Sequence, residues 1–143
     1  KGARVMPIVP TAIADYKAAG RSADALMQDL HWPLDLCLLG VGSDGHAASI
    51  FPGPDFEEAV NGPKERRALG VMPDPMPPEA PVPRVTLSLA AITMARALLI
   101  AVTGNEKRAV IETAMKQGRS SPYPIGLALA GTDLPVDIHW APA

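Results

Sequence analysis

Residues 34–53, LDLCLLGVGSDGHAASIFPG, join an apolar run to a glycine-rich loop. The run Leu34–Leu39 carries one charge, Asp35, near its start. A nearly continuous apolar run of this length is typical of a strand that is covered on both faces, as in a parallel sheet. Because reactive groups in open parallel sheets collect at the carboxyl ends of the strands, we expect residues 40–46 to lie at a ligand-binding edge.

Strands and helices alternate on both sides of this stretch. Strands are predicted at Val5–Val9, Leu34–Leu39, Arg67–Val71, Arg84–Leu89, Leu98–Val102 and Val136–Trp140. Helices are predicted at Ala12–Leu30, with Thr11 as N-cap and a possible break at Gly20, at Ala90–Ala95, and at Glu106–Gln117, closed by Gly118. Pro54–Gly62 is predicted as a loop or a ragged helix, and Ile125–Ala130 as a proline-flanked segment. This alternation predicts an α/β layered fold with a mostly parallel sheet.

Composition excludes several classes of protein. A chain of 143 residues is about one domain, and a formal net charge of -2 gives no electrostatic case for nucleic-acid binding. No run of 18 apolar residues and no signal peptide is seen, so we expect no membrane partner and a cytoplasmic location. The single cysteine, Cys37, excludes an intrachain disulfide and lies among leucines, which favours a buried core thiol. No Cys/His cluster has zinc spacing.

The segment Val71–Pro83 contains six prolines in thirteen residues. Their missing N–H groups exclude a helix or a central strand, so an extended surface loop is predicted. The pattern fits a spacer and a wall beside an active site equally well.

The glycines of the loop match a nucleotide-binding fingerprint by letter only. Gly40, Gly42 and Gly45 fit G-x-G-x-x-G, but that site requires a long helix after the loop and an acidic residue about 20 positions further on. Here Pro52 and Gly53 end any helix within two turns, and Asp44 puts a negative charge where a pyrophosphate would lie. We interpret the match as accidental.

Asp44 and His46 are the side chains of this loop that can transfer protons. A histidine titrates near neutral pH, and an acid two residues away can fix its tautomer or its charge. Backbone N–H groups of a short helix after Gly45 could stabilise an oxyanion. The alternative is that Asp44 caps this helix and His46 merely lies in its first turn. Residue chemistry alone leaves both interpretations open.

The residues from Asp35 to Gly53 resemble the signature of the 6-phosphogluconolactonases, D-x-x-x-L-G-x-G-x-D-G-H-x-A-S-L-F-P-G. The stretch P-R-V-T-L-S-L, Pro83–Leu89, is similar to a strand of that family, and V-T-G-N-E-K, Val102–Lys107, to its turn into a helix. The closing V-D-I-H-W-A-P is also similar. The resemblance implies a three-layer, mostly parallel, Rossmann-like sheet of the group that includes glucosamine-6-phosphate deaminase and ribose-5-phosphate isomerase, here truncated at its N-terminus.

The resemblance also implies an activity and a set of residues. The family hydrolyses 6-phospho-D-glucono-1,5-lactone in the pentose phosphate pathway, and its general base falls on His46, with Asp44 beside it. The substrate is a small sugar phosphate, with no cofactor and no metal implied. The implied substrate-binding residues are Gly40, Gly42, Gly45, Ser49, Arg84 and Lys107, the two cations serving the phosphate. His31 and His139 match no catalytic position and are expected to be structural or surface residues.

Two other functions remain as alternatives, a non-catalytic sugar-phosphate-binding module and a deaminase-like aldose–ketose isomerase. Deaminases continue the motif with a glutamate that partners the histidine, whereas this chain has Ser49-Ile50-Phe51-Pro52-Gly53. That difference favours hydrolysis. The family's first glycine-rich phosphate loop and its D-E-R motif do not occur here, so residues 1–143 are expected to be one α/β domain, the C-terminal part of a longer lactonase, weakly active or inactive alone. The sequence gives no prediction of oligomeric state.

Overall fold

A computed structural model of the protein describes residues 2–9 and 15–143. Within these ranges the strands are β1 (Cys37–Leu39), β2 (Ala68–Val71), β3 (Arg84–Leu87), β4 (Leu98–Thr103) and β5 (Val136–Ala141). The helices are α1 (Tyr16–Gln28), α2 (Phe56–Asn61), α3 (Leu89–Thr93), α4 (Asn105–Gln117) and α5 (Pro124–Gly131), with a short 3-10 turn at Gly118–Ser120.

The strands form two sheets. One is parallel with the order β1-β4-β5, and its register sets Leu38 beside Leu99 and Leu99 beside Asp137. The other is an antiparallel pair, β2 and β3, whose connection is the proline-rich segment. The predicted α/β class with a mostly parallel sheet is therefore confirmed, whereas the separate antiparallel pair was not predicted.

One face of the parallel sheet is buried and the other is open. Along β4, Leu98, Ile100 and Val102 are buried, while Ala101 and Thr103 are exposed. The prediction that the strand at Leu34–Leu39 is covered on both faces was wrong, because Leu38 is 64% exposed between two buried neighbours. The buried face packs into a core that includes Leu39, Val41, Ile50, Leu69, Val71, Ile92, Leu98, Ile100, Val102, Ile111, Ala114, Ile125 and Ala128.

The strand predicted at Val5–Val9 was also wrong. These residues form no strand, and Val5 is 86% exposed. Pro7 has no N–H to donate to a ladder. Met6 and Ile8 are half-buried between exposed neighbours, and they pack against a small cluster that includes Met27 of α1.

Helix α1 has a different N-terminus from the one predicted. Thr11 and residues 12–14 lie outside the described residues; the N-cap is Asp15, whose carboxylate accepts hydrogen bonds from the N–H groups of Lys17 (3.0 Å) and Ala18 (3.1 Å). The helix is not broken at Gly20. A Cβ atom there would overlap the backbone nitrogen of Gly70, so glycine lets α1 lie directly against β2.

The later elements agree with the sequence more closely. Helix α4 ends at Gln117 and is followed by Gly118, which has a φ of 57°, in the region that the predicted C-terminal glycine requires. The proline-flanked segment is helix α5, with Pro124 in its first turn. Among the described residues, no helix has the length and apolar character needed to cross a bilayer.

Candidate active site

The loop after β1 is a pair of tight turns and not a helix start. Isolated bridges join Val41 to Ala47 and Ala47 to Ile50. The N–H of Gly45 donates to the carbonyl of Gly42, and the N–H of Ile50 to the carbonyl of Ala47, both at 3.0 Å. The short helix predicted after Gly45 is therefore absent, so no helix N-terminus lies directly after Gly45 to stabilise an oxyanion. The nearest helix, α2, begins only at Phe56, which removes the support for a dinucleotide site.

Asp44 and His46 form a hydrogen-bonded pair. The Nδ1 atom of His46 lies 2.6 Å from Oδ1 of Asp44, which also accepts the His46 backbone N–H at 3.2 Å. An ionised carboxylate can only accept, so Nδ1 is the protonated nitrogen and Nε2 is left to accept a proton. The imidazole is 26% exposed and the carboxylate 56% exposed. The pair is thus preorganised and still open to solvent on the cleft side.

Two of the three loop glycines have a steric role. A Cβ atom at Gly42 would overlap the imidazole of His46 and the carboxylate of Asp44, so the pair closes over this residue. Gly45 has a φ of 82°, and a side chain there would meet the ring of Tyr123. Its carbonyl accepts the N–H of Ile125 at 3.1 Å, which ties the loop to α5. At Gly40 a Cβ atom would meet nothing within 4 Å.

A cleft of about 1220 Å³ lies against this pair. It is bounded by the loop after β1, by the proline-rich segment, and by the carboxyl ends of β4 and β5. Of the residues predicted for the site, it includes Gly40, Gly42, Asp44, His46 and Lys107 in its lining. The lining also includes Pro75, Met76, Pro77, Pro78 and Glu79, so the proline-rich segment is a wall of the cleft.

The start of this wall is fixed by hydrogen bonds that its backbone N–H groups donate. The N–H of Asp74 donates to the carbonyl of Pro52 at 2.9 Å, and the N–H of Met72 donates to Asp55 Oδ2 at 2.8 Å. Asp55 is buried and forms an ion pair with Lys17 of α1. The hydrogen bond to Asp55 raises the pKa of the Lys17 ammonium, which keeps Lys17 charged at neutral pH.

The two predicted phosphate-binding cations lie in different places. Lys107 lines the cleft from the first turn of α4, where the helix dipole also favours an anion. Arg84 is not part of the lining. Its guanidinium donates to the carbonyls of Ala80 (2.8 Å) and Val82 (3.2 Å), and its Cζ lies 4.8 Å from the ring centroid of Phe51. Ser49 is also outside the lining, and its N–H donates to Thr86 Oγ1 at 3.0 Å.

Sequence reasoning missed several cleft residues. His139, expected to be a structural or surface residue, lines the cleft from β5, as does Trp140. Thr103 lines it from the end of β4. Glu79 contributes a carboxylate from the proline-rich wall. The available signal was position, because 103 and 139–140 fall at the carboxyl ends of predicted strands.

Within the described residues, no three His, Cys, Asp or Glu side chains are grouped so as to hold a metal ion. Cys37 is buried in β1, and burial raises the pKa of its thiol, so it stays protonated near neutral pH. The expected core thiol is therefore seen, and the reactive groups of the cleft are the carboxylates, imidazoles and ammonium already described.

An open parallel sheet with an acid–base pair at its carboxyl edge defines an α/β protein of the Rossmann-like class with a small-molecule cleft. The family model for glucosamine-6-phosphate isomerases/6-phosphogluconolactonase matches residues 1–140. The chain belongs to this family.

Named relatives agree with this assignment. A 6-phosphogluconolactonase of Mesorhizobium japonicum is 36% identical over 143 residues, covering 99% of this chain and 57% of the relative. One from Pseudomonas aeruginosa is 34% identical over 130 residues, covering 90% and 52%. The chain thus spans a little over half the length of these relatives.

Solved structures share the fold. A 6-phosphogluconolactonase from Shewanella baltica superposes with a TM-score of 0.79 at 28% identity, covering 94% of this chain and 55% of the other. The Trypanosoma brucei 6-phosphogluconolactonase gives 0.69 at 32% identity, covering 92% and 54%. A monomeric glucosamine-6-phosphate deaminase gives 0.64 at 20% identity, covering 89% and 54%, which shows a common fold alone.

Proposed function

We propose that this protein hydrolyses 6-phospho-D-glucono-1,5-lactone to 6-phosphogluconate, with His46 as general base. The observation that carries the proposal is the 2.6 Å contact between His46 Nδ1 and Asp44 Oδ1 at the wall of the cleft. It fixes the tautomer in which Nε2 is free to accept a proton. Relatives that bear the name 6-phosphogluconolactonase at 34% and 36% identity support the same reaction.

The proton transfers of the reaction can be carried by this pair and water. Nε2 of His46 takes a proton from a water molecule as the water oxygen attacks the lactone carbonyl carbon. Asp44 stabilises the imidazolium that forms. When the tetrahedral intermediate collapses, the bond from this carbon to the ring oxygen breaks, and His46 returns its proton to that oxygen. The product is the open-chain acid, which ionises at neutral pH.

Lys107 is our candidate for the substrate phosphate. Lys107 belongs to the first turn of α4, where the backbone N–H groups have no intrahelical partner. It lines the same cleft as His46 but follows β4, the strand next to β1 in the sheet. One small sugar phosphate lying across these strand ends can contact both residues. We place this reaction in the cytoplasm, as the sequence predicts.

Hydrolysis is favoured over the two alternatives by the same loop. A binding module has no use for a tautomer-fixed histidine beside a carboxylate. An isomerase of the deaminase kind needs a glutamate partner in the stretch that is Ser49–Gly53 here, and this stretch has no acid.

Because residues 1–143 are expected to be weakly active or inactive alone, the test is made on a chain with the upstream residues of the lactonase restored. It compares the rate of lactone hydrolysis by that chain with the spontaneous rate. We expect His46→Ala to lower kcat by about 10²–10⁴-fold, the usual contribution of a general base. His31→Ala is the matched control, since His31 is exposed and outside the cleft lining.

Three results would contradict the proposal. Hydrolysis by His46→Ala at the wild-type rate would remove His46 from the mechanism. Binding of 6-phosphogluconate without any rate above the spontaneous one would indicate a binding module. Release of ammonia from glucosamine-6-phosphate would indicate the deaminase-like activity.

A further inference from the structure

We propose that Arg84 and Phe51 are positioning residues that hold the imidazole of His46 in place, and that Arg84 does not bind the substrate phosphate. The inference rests on the proposed lactone hydrolysis and gives its base two further supports. It departs from the motif resemblance, which implies a phosphate contact for Arg84.

Phe51 contacts both the base and the guanidinium. The ring of Phe51 stacks on the imidazole of His46 with centroids 4.1 Å apart and an interplanar angle of 29°. Arg84 Cζ lies 4.8 Å from the same ring centroid, within the range of a cation–π interaction. Phe51 is only 8% exposed, so the contact is desolvated on the protein side.

The guanidinium of Arg84 is directed at the protein. Two of its nitrogens donate to the carbonyls of Ala80 and Val82, in the proline-rich segment. Proline-rich chain has few N–H groups for a ladder, so side-chain donors such as Arg84 add to the few hydrogen bonds that its own backbone N–H groups make. Arg84 thereby links the end of the cleft wall to Phe51, and through Phe51 to His46.

Strand β3 supports the loop at a second point. Thr86 lies two residues after Arg84, on the same face of the strand. It is buried, and its hydroxyl accepts the N–H of Ser49 at 3.0 Å. Two side chains of one strand face therefore hold the segment from His46 to Phe51, and neither of them lines the cleft. This is the arrangement of a supporting strand and not of a ligand-binding one.

The two roles of Arg84 predict opposite results for Arg84→Lys. A lysine keeps the charge that a phosphate needs, but its single ammonium cannot reach two carbonyls and stack on a ring at once. We therefore expect Arg84→Lys and Arg84→Met each to lower kcat by about tenfold, the scale of a slightly misplaced catalytic group, with KM changed by less than about threefold. Arg96→Met, which removes an exposed guanidinium paired with Asp35, is the control and leaves both constants unchanged.

A second measurement needs no substrate. Nuclear Overhauser contacts between the His46 and Phe51 rings are expected in the wild-type chain and in Arg96→Met, and to weaken in both Arg84 variants. Phe51→Leu removes the ring and is expected to match Arg84→Met in kcat, whereas Phe51→Tyr restores most of the rate. Thermal unfolding verifies that each variant is folded.

The proposal is overturned if Arg84→Met raises KM tenfold or more at unchanged kcat while Arg84→Lys keeps both constants, since that is the behaviour of a phosphate ligand. It is also overturned if the ring contacts persist in both Arg84 variants. If the wild-type chain with its upstream residues restored hydrolyses no lactone, the proposed function fails, and the ring contacts alone decide whether Arg84 positions His46.

Discussion

At the scale of single residues, the candidate site depends on the absence of a side chain at Gly42 as well as on the hydrogen-bonded pair Asp44 and His46. Asp44 and His46 are two residues apart, and their side chains meet over Gly42. This glycine has no positive φ, so its role here is to leave space and not to allow an unusual backbone. Gly42 therefore matches the nucleotide fingerprint, but its role in this loop is to leave space for the Asp44–His46 pair.

Gly42→Ala tests this spacing. The atoms that a methyl group would meet are the ends of two side chains, which can rotate away, so we expect a change in unfolding free energy below about 1 kcal/mol. The Asp44–His46 hydrogen bond is expected to break, with loss of the slowly exchanging Nδ1 proton in NMR spectra and a fall in kcat of about 10²-fold. Gly40→Ala, where a methyl group meets nothing, should keep the Nδ1 proton signal. A wild-type signal and rate in Gly42→Ala would show that the pair does not need this space.

At the scale of elements, the contact of α1 with β2 is made through backbone. Gly20 lies against the nitrogen of Gly70, and a side chain at Gly70 would meet the carbonyl of Tyr16. The ion pair between Lys17 and Asp55 lies beside this contact and joins α1 to the residue that precedes α2. The close approach of α1 to β2 therefore depends on Gly20 and Gly70, although glycine has a low helix propensity at position 20.

Gly20→Ala separates the effect of helix propensity from the effect of packing between α1 and β2. In a free helix this change is favourable by about 1 kcal/mol. Here the new methyl group meets backbone that cannot move aside, so we expect a loss of about 1–3 kcal/mol in unfolding free energy. Ser22→Ala on the exposed face of the same helix is the control and should be neutral or slightly stabilising. Urea unfolding measures both, and a stabilised Gly20→Ala would show that α1 does not touch β2 so closely.

At the scale of the whole molecule, the parallel sheet has a buried face and an open one. Neighbouring residues of β1 differ accordingly: Leu39 is 4% exposed and Leu38 is 64% exposed. The cleft lies at the carboxyl edge of this sheet, between the loop after β1 and the ends of β4 and β5. The cleft is therefore bounded by strand ends and by the proline-rich segment.

The two leucines of β1 give a paired test of this asymmetry. Leu39→Ala is expected to cost about 2–5 kcal/mol, the range for a buried leucine. Leu38→Ala should cost less than about 1 kcal/mol, because its side chain is mostly in solvent. Equal losses in chemical unfolding would mean that the Leu38 face is covered in solution.

The sequence by itself determined the α/β class, the parallel strands, and the loop that carries Asp44 and His46, because apolar periodicity and glycine spacing are local properties. The resemblance of residues 102–107 to a family motif also indicated Lys107, in the turn into α4. Tertiary structure alone decided that the proline-rich segment is a cleft wall, that His139 lies in the cleft, and that Arg84 is directed at Phe51 and two carbonyls. It also decided that Leu38 is exposed and that Val5–Val9 forms no strand. These outcomes depend on which elements pack together. The residues next to an apolar or charged side chain in the sequence do not indicate which distant residues it will contact.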